Sequence, residues 1–217
     1  MTKIVAFGCS YTYGHGLHDC HDGKTNGAGP RPSNYTYVQH LARMLRIKTT
    51  LNLAEPGVGN KYIMHKIDTN LHNIDKEDLV IIQWSFIERH SILHNSEDIK
   101  NLGPWMNKGD KISTGYYKHL YSEYDHRKHT GWYINCANAM LKHNGVMQVI
   151  NTEPPDQGFD KSIIIDQDNY WEDCLAKHKV DQALDNNHPG LISHREYAEA
   201  MYLEHKHKFV KWNTISG

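Results

Sequence analysis

Short apolar runs recur along the chain, and their spacing favours alternating strands and helices. The run at residues 4–7 is continuously apolar and is closed by Gly8, which is typical of a buried strand. The runs that predict strands lie at residues 4–7, 51–54, 79–83, 146–150 and 163–165.

Helical periodicity occupies the intervals between these runs. Apolar residues recur one helical turn apart in two segments: Tyr37, Val38, Leu41, Met44 and Leu45, then Ile63, Met64, Ile67 and Leu71. Ser33 or Asn34 is expected to cap the first of these helices. Three later helices are predicted: residues 116–143, bent or divided at Gly131; residues 171–177; and a last helix that begins with a capping-box pattern at Ser193.

The alternation of strands and helices predicts one α/β domain, with a parallel sheet that helices cover on both faces. Ligand sites in such sheets lie at the carboxyl ends of the strands. Ser10, Gly57 and Ser85 each follow a predicted strand. Residues 14–33, rich in Gly, Asp, Asn and Pro, predict a long functional loop, and residues 99–114 are expected to form an irregular insertion.

The charge balance argues against several classes of function. The 217 residues include 25 acidic and 24 basic ones, so no global field favours nucleic acid or an anionic membrane as a partner. The cysteines, Cys9, Cys20, Cys136 and Cys174, form no Cys-x-x-Cys pair, which disfavours a zinc knuckle or a disulfide framework. No apolar run suits an export signal or a membrane span, so we expect a soluble cytoplasmic protein.

Four potential metal ligands lie close together in the loop after Ser10. They are His15, His18, Cys20 and His21. Aspartate and glycine residues interleave with them without a known ligand spacing, so a polar loop beside the pocket is favoured over a metal site. We therefore expect neither a metal nor a cofactor.

Two short segments near opposite ends of the chain supply the groups of an activated serine. Ser10 follows the first predicted strand, and Asp185 stands three residues before His188. A serine hydroxyl is a poor nucleophile until an imidazole takes its proton and a carboxylate holds that imidazole in the right tautomer. The spacing lets Asp185 accept from His188 Nδ1, and Pro189 disfavours a helical conformation at His188. Nε2 then remains free to face Ser10.

The same segments resemble sequence blocks of the SGNH (GDSL-type) hydrolase family. Residues 8–12, Gly-Cys-Ser-Tyr-Thr, are similar to the first block, in which a strand-end serine is the nucleophile. Residues 51–57 look like the second block, whose glycine directs its N–H into the oxyanion hole. Residues 185–188 are similar to the fifth block, which completes the triad. The chain as a whole resembles family members encoded by bacteriophages.

This resemblance implies a fold, an activity and a set of site residues. The fold is a flavodoxin-like three-layer α/β/α sandwich with a parallel sheet. The activity is hydrolysis of an ester, with Ser10 as nucleophile, His188 as base and Asp185 as the residue that orients it. The N–H groups of Ser10 and Gly57 would hold the oxyanion, and losing one such donor typically costs about 3 kcal/mol of transition-state stabilisation.

Two departures from the family pattern affect the site. Cys9 stands where the family has an aspartate, but that position is not part of the triad. The third block normally supplies an asparagine as another oxyanion donor, and residues 83–89 contain none. Ser85 is the nearest small donor, with Gln83 and Arg89 as alternatives. An unreplaced donor would slow the reaction without changing its chemistry.

The leading hypothesis is an esterase or carbohydrate O-deacetylase. The polar composition favours a short acyl group on a carbohydrate over a long lipid. The alternative is a catalytically weak or inactive protein of the same fold that acts as a binding or structural module. A nucleotide site in the loop at residues 14–29 is disfavoured, because no Gly-x-Gly-x-x-Gly or phosphate-loop lysine pattern opens a helix there.

Overall fold

A parallel sheet of five strands forms the centre of the structure. The computed structural model describes residues 3–95, 98–155 and 159–213. Its strands in chain order are β1 (Lys3–Phe7), β2 (His21–Asp22), β3 (Gly27–Ala28), β4 (Thr49–Asn52), β5 (Leu79–Gln83), β6 (His90–Leu93), β7 (Ile99–Leu102), β8 (Gln148–Thr152) and β9 (Tyr170–Trp171). The predicted strands at β1, β4, β5 and β8 are therefore confirmed, with shifts of one or two residues at their ends.

The order of the central sheet is β4-β1-β5-β8-β9, and every neighbouring pair is parallel. Val5 lies opposite Leu51 on one side and Val80 on the other. The pairs β2–β3 and β6–β7 form separate antiparallel hairpins. Strand β7, a 3₁₀ helix at Pro104–Lys108 and the start of the next helix fill most of residues 99–114. That segment is thus more regular than its composition predicts.

Helices connect the strands of the sheet, as parallel pairing requires. They are α1 (Ser10–Tyr13), α2 (Tyr37–Met44), α3 (Asn60–Asn70), α4 (Lys111–His119), α5 (Glu123–His143) and α6 (Leu191–Asn213). Among the helices of the described residues, none combines the length and apolarity that crossing a membrane requires.

Successive residues of the central strands face opposite sides of the sheet, as the period of a strand requires. Ile4 and Ala6 belong to a buried core formed with α2 and α6. Val5 and Phe7 belong to a second core, formed with α3 and α5. The sheet is therefore covered by helices on both faces, which confirms the predicted three-layer α/β/α architecture.

The region that precedes the last helix differs from the prediction of a strand at residues 163–165 and a helix at residues 171–177. It contains a 3₁₀ helix at Lys161–Ile163, strand β9 and a 3₁₀ helix at Leu175–His178. Asn135 supplies the physical reason. Its amide donates to the Ile163 carbonyl at 2.8 Å and accepts from the Ile165 N–H at 2.9 Å. A side chain of α5 thus takes up backbone groups that a sheet would otherwise pair.

The predicted break at Gly131 is wrong. The two helices of this region separate at residues 120–122, where the Ser122 side chain caps α5 by accepting the Asp125 N–H. Gly131 lies inside α5, and a Cβ there would overlap the side chain of Ile163. The glycine therefore permits close packing rather than ending a helix.

Two predicted helix starts also need correction. The N-cap residue of α2 is Thr36, not Ser33 or Asn34. The Ser33 hydroxyl instead donates a hydrogen bond to Asp19. Ser193 lies inside the first turn of α6, so the capping-box pattern falls two residues after the helix begins. Ser33 and Ser193 are both predicted to cap a helix, but each donates its hydroxyl to a distant aspartate instead, Asp19 for Ser33 and Asp181 for Ser193.

Candidate active site

Ser10 lies at the carboxyl end of β1, where the chain turns into the short helix α1. Cys9 is extended at the start of this turn, with φ −100° and ψ −156°. The Ser10 side chain is buried, and its hydroxyl has no hydrogen-bond partner among the described residues. A buried hydroxyl without a partner loses the stabilisation that native polar groups normally find, and such groups often have a functional explanation.

A buried hydrogen-bond network fixes the turn that carries Ser10. The Thr12 hydroxyl donates to Gln83 Oε1 at 3.1 Å, so its other contact, with the Tyr37 hydroxyl at 3.1 Å, is one in which tyrosine donates. Asn52 donates to the Thr12 carbonyl at 2.7 Å. Strands β4 and β5 and helix α2 therefore all hold the turn after β1. Gln83 gives only its Oε1 to this network, and its buried Nε2 has no hydrogen-bond partner among the described residues. Gln83 is not among the residues that line the cleft beside Ser10, so it is not placed to serve as the missing oxyanion donor.

Asp185 and His188 form a hydrogen-bonded pair on the turn before α6. Asp185 Oδ2 accepts from His188 Nδ1, and Asp185 Oδ1 accepts from the backbone N–H groups of Asn187 and His188, both at 3.1 Å. The His188 carbonyl accepts from the Ala183 N–H at 3.0 Å, which closes the turn. This arrangement leaves Nε2 of His188 free.

The surroundings of Asp185 and His188 lower the pKa of both side chains. This favours the carboxylate and the neutral imidazole, which are the forms that a triad needs. Burial lowers the pKa of His188, although its hydrogen bond to Asp185 opposes the shift. Burial by itself would raise the pKa of Asp185. The hydrogen bonds donated by His188 and Asn187 outweigh this effect, so the pKa of the carboxyl is lowered. At neutral pH the pair is therefore a neutral imidazole on a carboxylate, which is the state of a general base.

The loop after α1 packs directly against the Asp185–His188 pair. The His15 ring stacks on the His188 ring, with a centroid distance of 4.4 Å and an interplanar angle of 24°. The Gly16 carbonyl accepts from the Leu184 N–H at 2.9 Å. Gly16 has φ +86°, and a Cβ at this position would lie 2.7 Å from the Asp185 carboxylate. Only glycine fits this approach.

Ser10, Asp185 and His188 all line one cleft of about 620 Å³, although Ser10 and His188 come from opposite ends of the chain. Gly57 lines the same cleft. It adopts φ +79°, and a Cβ built there would meet no atom within 4 Å. The position therefore faces open space, and glycine supplies the left-handed backbone conformation at little cost. The structure thus brings four of the five predicted site residues together.

Ser85 is the predicted site residue that the cleft does not include. It is fully buried, its hydroxyl donates to the Val58 carbonyl at 2.8 Å, and its N–H donates to Asn60 Oδ1 at 2.6 Å. Both donors of Ser85 are therefore used within the fold. Ser85 is therefore not available as a replacement oxyanion donor.

Three cleft residues that the sequence argument did not place in the triad stand out in the structure. Arg89 lines the cleft with its guanidinium carbon 4.5 Å from the Phe86 ring centroid and 4.9 Å from that of Trp105. His15 lines it as well. Two of these residues have a signal in the sequence: His15 follows Ser10 closely, and Arg89 lies in the third block. Trp105 has no local signal, because it reaches the cleft from the segment that follows β7.

The histidines and cysteine of the loop after Ser10 do not gather around one point. His18 packs on Tyr35, and Cys20 is buried. Among the described residues, a different group has metal-ligand spacing: His15, Asp185 and His188, with one ligand atom each within 4.8 Å of the others. The two imidazoles are stacked almost in parallel, so their in-plane lone pairs do not converge on one ion. The geometry fits a hydrogen-bonded pair better than a metal centre.

Comparisons with known proteins identify the fold. No family model and no curated protein matches the sequence. A protein assigned to the lipolytic G-D-S-L family from Desulfitobacterium hafniense has a TM-score of 0.52 at 15% identity, covering 93% of this chain and 98% of that one. A family two carbohydrate esterase from Clostridium thermocellum, in complex with cellohexaose, has a TM-score of 0.56 at 15% identity over 97% of this chain.

An acetyl xylan esterase from the rumen bacterium Butyrivibrio proteoclasticus has a TM-score of 0.55 at 12% identity, again over 97% of this chain. This chain spans 65% of the Clostridium esterase and 64% of the Butyrivibrio one, which is less than two thirds of their lengths. The chain therefore has the α/β fold of GDSL-type lipolytic proteins and carbohydrate esterases, in agreement with the fold that the sequence blocks imply.

Proposed function

We propose that this protein is an SGNH-type serine ester hydrolase. In this proposal Ser10 is the nucleophile, His188 is the general base and acid, and Asp185 orients His188. One observation carries it: an unpartnered serine hydroxyl and a carboxylate-bound, neutral imidazole line the same cleft at the end of a parallel strand. The fold of GDSL-type proteins supports the same reading.

The reaction proceeds by two acyl transfers. His188 Nε2 takes the Ser10 proton as Oγ attacks the carbonyl carbon, and the carbonyl oxygen becomes an oxyanion held by the N–H groups of Ser10 and Gly57. The intermediate expels the alcohol, which receives the proton from His188, and an acyl-enzyme remains. A water molecule then gives a proton to His188 and attacks the acyl carbon. The resulting intermediate expels Ser10 Oγ, which takes the proton back from His188, and the acid is released.

The substrate favoured by the cleft is a short acyl ester on a polar scaffold. Trp105 is 56% exposed in the cleft wall, and an exposed indole face suits stacking on a sugar or another flat group. Two proteins with the same fold are carbohydrate esterases, one of them bound to cellohexaose. These observations support an acylated carbohydrate or a small ester as substrate.

Ser10→Ala tests the assignment directly. Hydrolysis of 4-nitrophenyl acetate by the wild type is expected to fall by more than about 1,000-fold in kcat, since removing a triad nucleophile abolishes the covalent route. Ser162→Ala is the matched control, because Ser162 is exposed and its hydroxyl only binds Asp160. Equal rates for Ser10→Ala and the wild type would refute the proposal.

A binding or structural module of the same fold is the competing function. Ser85 uses both of its donors within the fold, and Gln83 is not among the residues that line the cleft. This favours the binding module, because neither residue then supplies the third oxyanion donor. Labelling with a fluorophosphonate separates the two. An activated serine reacts covalently and Ser10→Ala does not, whereas an inert protein stays unlabelled in both forms.

A further inference from the structure

Arg89 is a cation in the cleft that the acyl-transfer steps do not use. Its guanidinium lies between the rings of Phe86 and Trp105, at 4.5 and 4.9 Å from their centroids. Both aromatic rings contact the cation, and a guanidinium that lies over a ring can still donate hydrogen bonds from its N–H groups. Ser10 and His188 line the same cleft. A cation held by two aromatic rings therefore lies in the same cavity as the reacting groups.

The charge of Arg89 is not balanced within the described part of the chain. Its Nη1 donates to Ser85 Oγ at 3.3 Å, and no carboxylate of the described residues forms an ion pair with it. Nε is buried without a partner. A partly buried cation loses hydration free energy that an anion or a set of acceptors normally restores.

The rest of the cleft does not offer such an anion. Asp185 is the acidic residue among those that line it. Its two oxygens accept from His188 and from the backbone of the turn, and its pKa is lowered, so it stays a committed carboxylate. The other lining residues are neutral or basic. No carboxylate of the cleft is therefore available to Arg89, and a ligand that carries a negative charge would supply one.

We propose that Arg89 binds a carboxylate of the substrate, so that the substrate class is an ester with a carboxylate in its acyl or alcohol half. This inference rests on the proposed ester hydrolysis and specifies its substrate. A guanidinium edge matches a carboxylate with two parallel hydrogen bonds. The exposed face of Trp105, next to Arg89, supports the flat part of the same ligand.

Paired substrates that differ only in charge test this proposal. For the alcohol half the pair is 4-(carboxymethyl)phenyl acetate and its methyl ester, and for the acyl half it is 4-nitrophenyl hydrogen adipate and 4-nitrophenyl hexanoate. The quantity measured is the ratio of kcat/KM within each pair. The wild type is expected to favour the carboxylate by about 10-fold or more in one pair, and that pair identifies the half that Arg89 binds.

Variants of Arg89 test whether this residue causes the preference for the carboxylate substrate. Arg89→Gln is expected to bring the ratio down to about 1, a loss of about 10-fold or more that agrees with the value of a hydrogen bond to a charged group. Arg89→Lys keeps the charge but loses the planar fork, so it should retain part of the ratio. Lys61→Gln removes a cation from the neighbouring cavity, which Arg89 also lines, and should leave the ratio unchanged. Thermal melting shows that each variant is folded.

Three results would overturn the proposal: no preference in the wild type for either pair, a preference that survives in Arg89→Gln, or an equal loss on charged and neutral esters. The last result would make Arg89 an oxyanion donor. Calorimetric titration of Ser10→Ala with 4-(carboxymethyl)phenyl acetate and with its methyl ester measures binding without hydrolysis. Hydrolysis can then fail while charge-dependent binding persists, which would refute the proposed reaction and leave the role of Arg89 intact.

Discussion

Each oxygen of the Asp185 carboxylate has its own task in the candidate site. Oδ2 holds the imidazole of His188, and Oδ1 holds the backbone of the turn through two N–H groups. The hydrogen bonds of this pair are therefore local, since all of them lie within one turn at residues 185–188. What makes it a candidate base is burial, which lowers the pKa of His188.

The pH profile of the proposed reaction follows from this shift. His188 acts as base only when neutral, and its pKa is lowered from the ordinary 6.5. The acid limb of kcat/KM should therefore have its midpoint below pH 6.5. His15→Phe keeps a stacked ring but removes the imidazole whose electrostatic effect helps to lower the pKa of His188. The midpoint should move to higher pH in that variant.

The measurement is kcat/KM for 4-nitrophenyl acetate across pH 4.5–8, and the groups that act on His188 are Asp185, His15 and Arg89. His18→Phe is the control, because His18 packs on Tyr35 and is not a lining residue of the cleft. A midpoint that stays in place or falls in His15→Phe would contradict the assignment of His188 as the titrating base.

At the scale of elements, the loop after α1 connects the two halves of the site. It carries the chain away from Ser10 and then lies against the turn of Asp185, with the Gly16 carbonyl bonded to the Leu184 N–H. The loop is therefore part of the site's support, as its length and position after the nucleophile predict. Its composition does not reveal which of its glycines is essential.

Gly16→Ala should impair the site because it acts directly on the Asp185 carboxylate. Its φ of +86° costs about 1–2 kcal/mol for a residue with a side chain. The methyl group would also push against the Asp185 carboxylate and Ala183. We expect activity to fall by about 100-fold, the cost of moving a catalytic group by about 1 Å.

Gly23→Ala is the matched control, since a Cβ at Gly23 meets nothing within 4 Å. Steady-state kinetics on 4-nitrophenyl acetate and thermal melting should be compared for both variants. A Gly16→Ala protein with the activity of the wild type would show that Asp185 tolerates displacement, contrary to the proposed role of this carboxylate.

At the scale of the whole molecule, two buried histidines connect α6 to α2 and to strand β9. His194 accepts the Tyr37 N–H at 3.1 Å and so ties α6 to the start of α2. Burial lowers its pKa to about 3. His205 packs against Trp171 and Phe209, and burial lowers its pKa to about 4. Both histidines are therefore neutral in the folded protein under conditions in which an unfolded chain would protonate them.

The fold should lose stability in mild acid for this reason. Below pH 6.5 these two histidines bind protons in the unfolded chain, but in the folded protein they bind protons only at about pH 4 or lower. The free energy of unfolding therefore falls as the pH falls. Each such histidine contributes a slope of up to about 1.4 kcal/mol per pH unit. His205→Phe suits the aromatic surroundings and should make the slope between pH 6.5 and 5 shallower.

Urea unfolding at several pH values in this window measures the slope, with His94→Gln as control, because His94 is exposed and does not act on the pKa of His194 or His205. An unchanged slope in His205→Phe would mean that His205 is protonated in the folded protein. The free energy of unfolding at pH 8 tests the second part of the expectation, because the variant should be no less stable there than the wild type.

Local patterns determined the parts of this protein that depend on neighbouring residues. The strand at Leu79–Gln83 has its predicted bounds because a continuous apolar run suits a strand buried on both faces. The Asp185–His188 pair follows from a spacing of three residues. The order of the strands along the chain was enough to predict a parallel sheet between helical layers.

Tertiary structure decided what depends on contacts between distant segments. It brought Ser10 and His188 into one cleft, placed Trp105 over Arg89, and turned both donors of Ser85 toward other groups. It also replaced the predicted strand at residues 163–165, because the Asn135 side chain binds that backbone. A single side chain from another helix can satisfy a polar group better than its local partners can, and no local pattern contains that information.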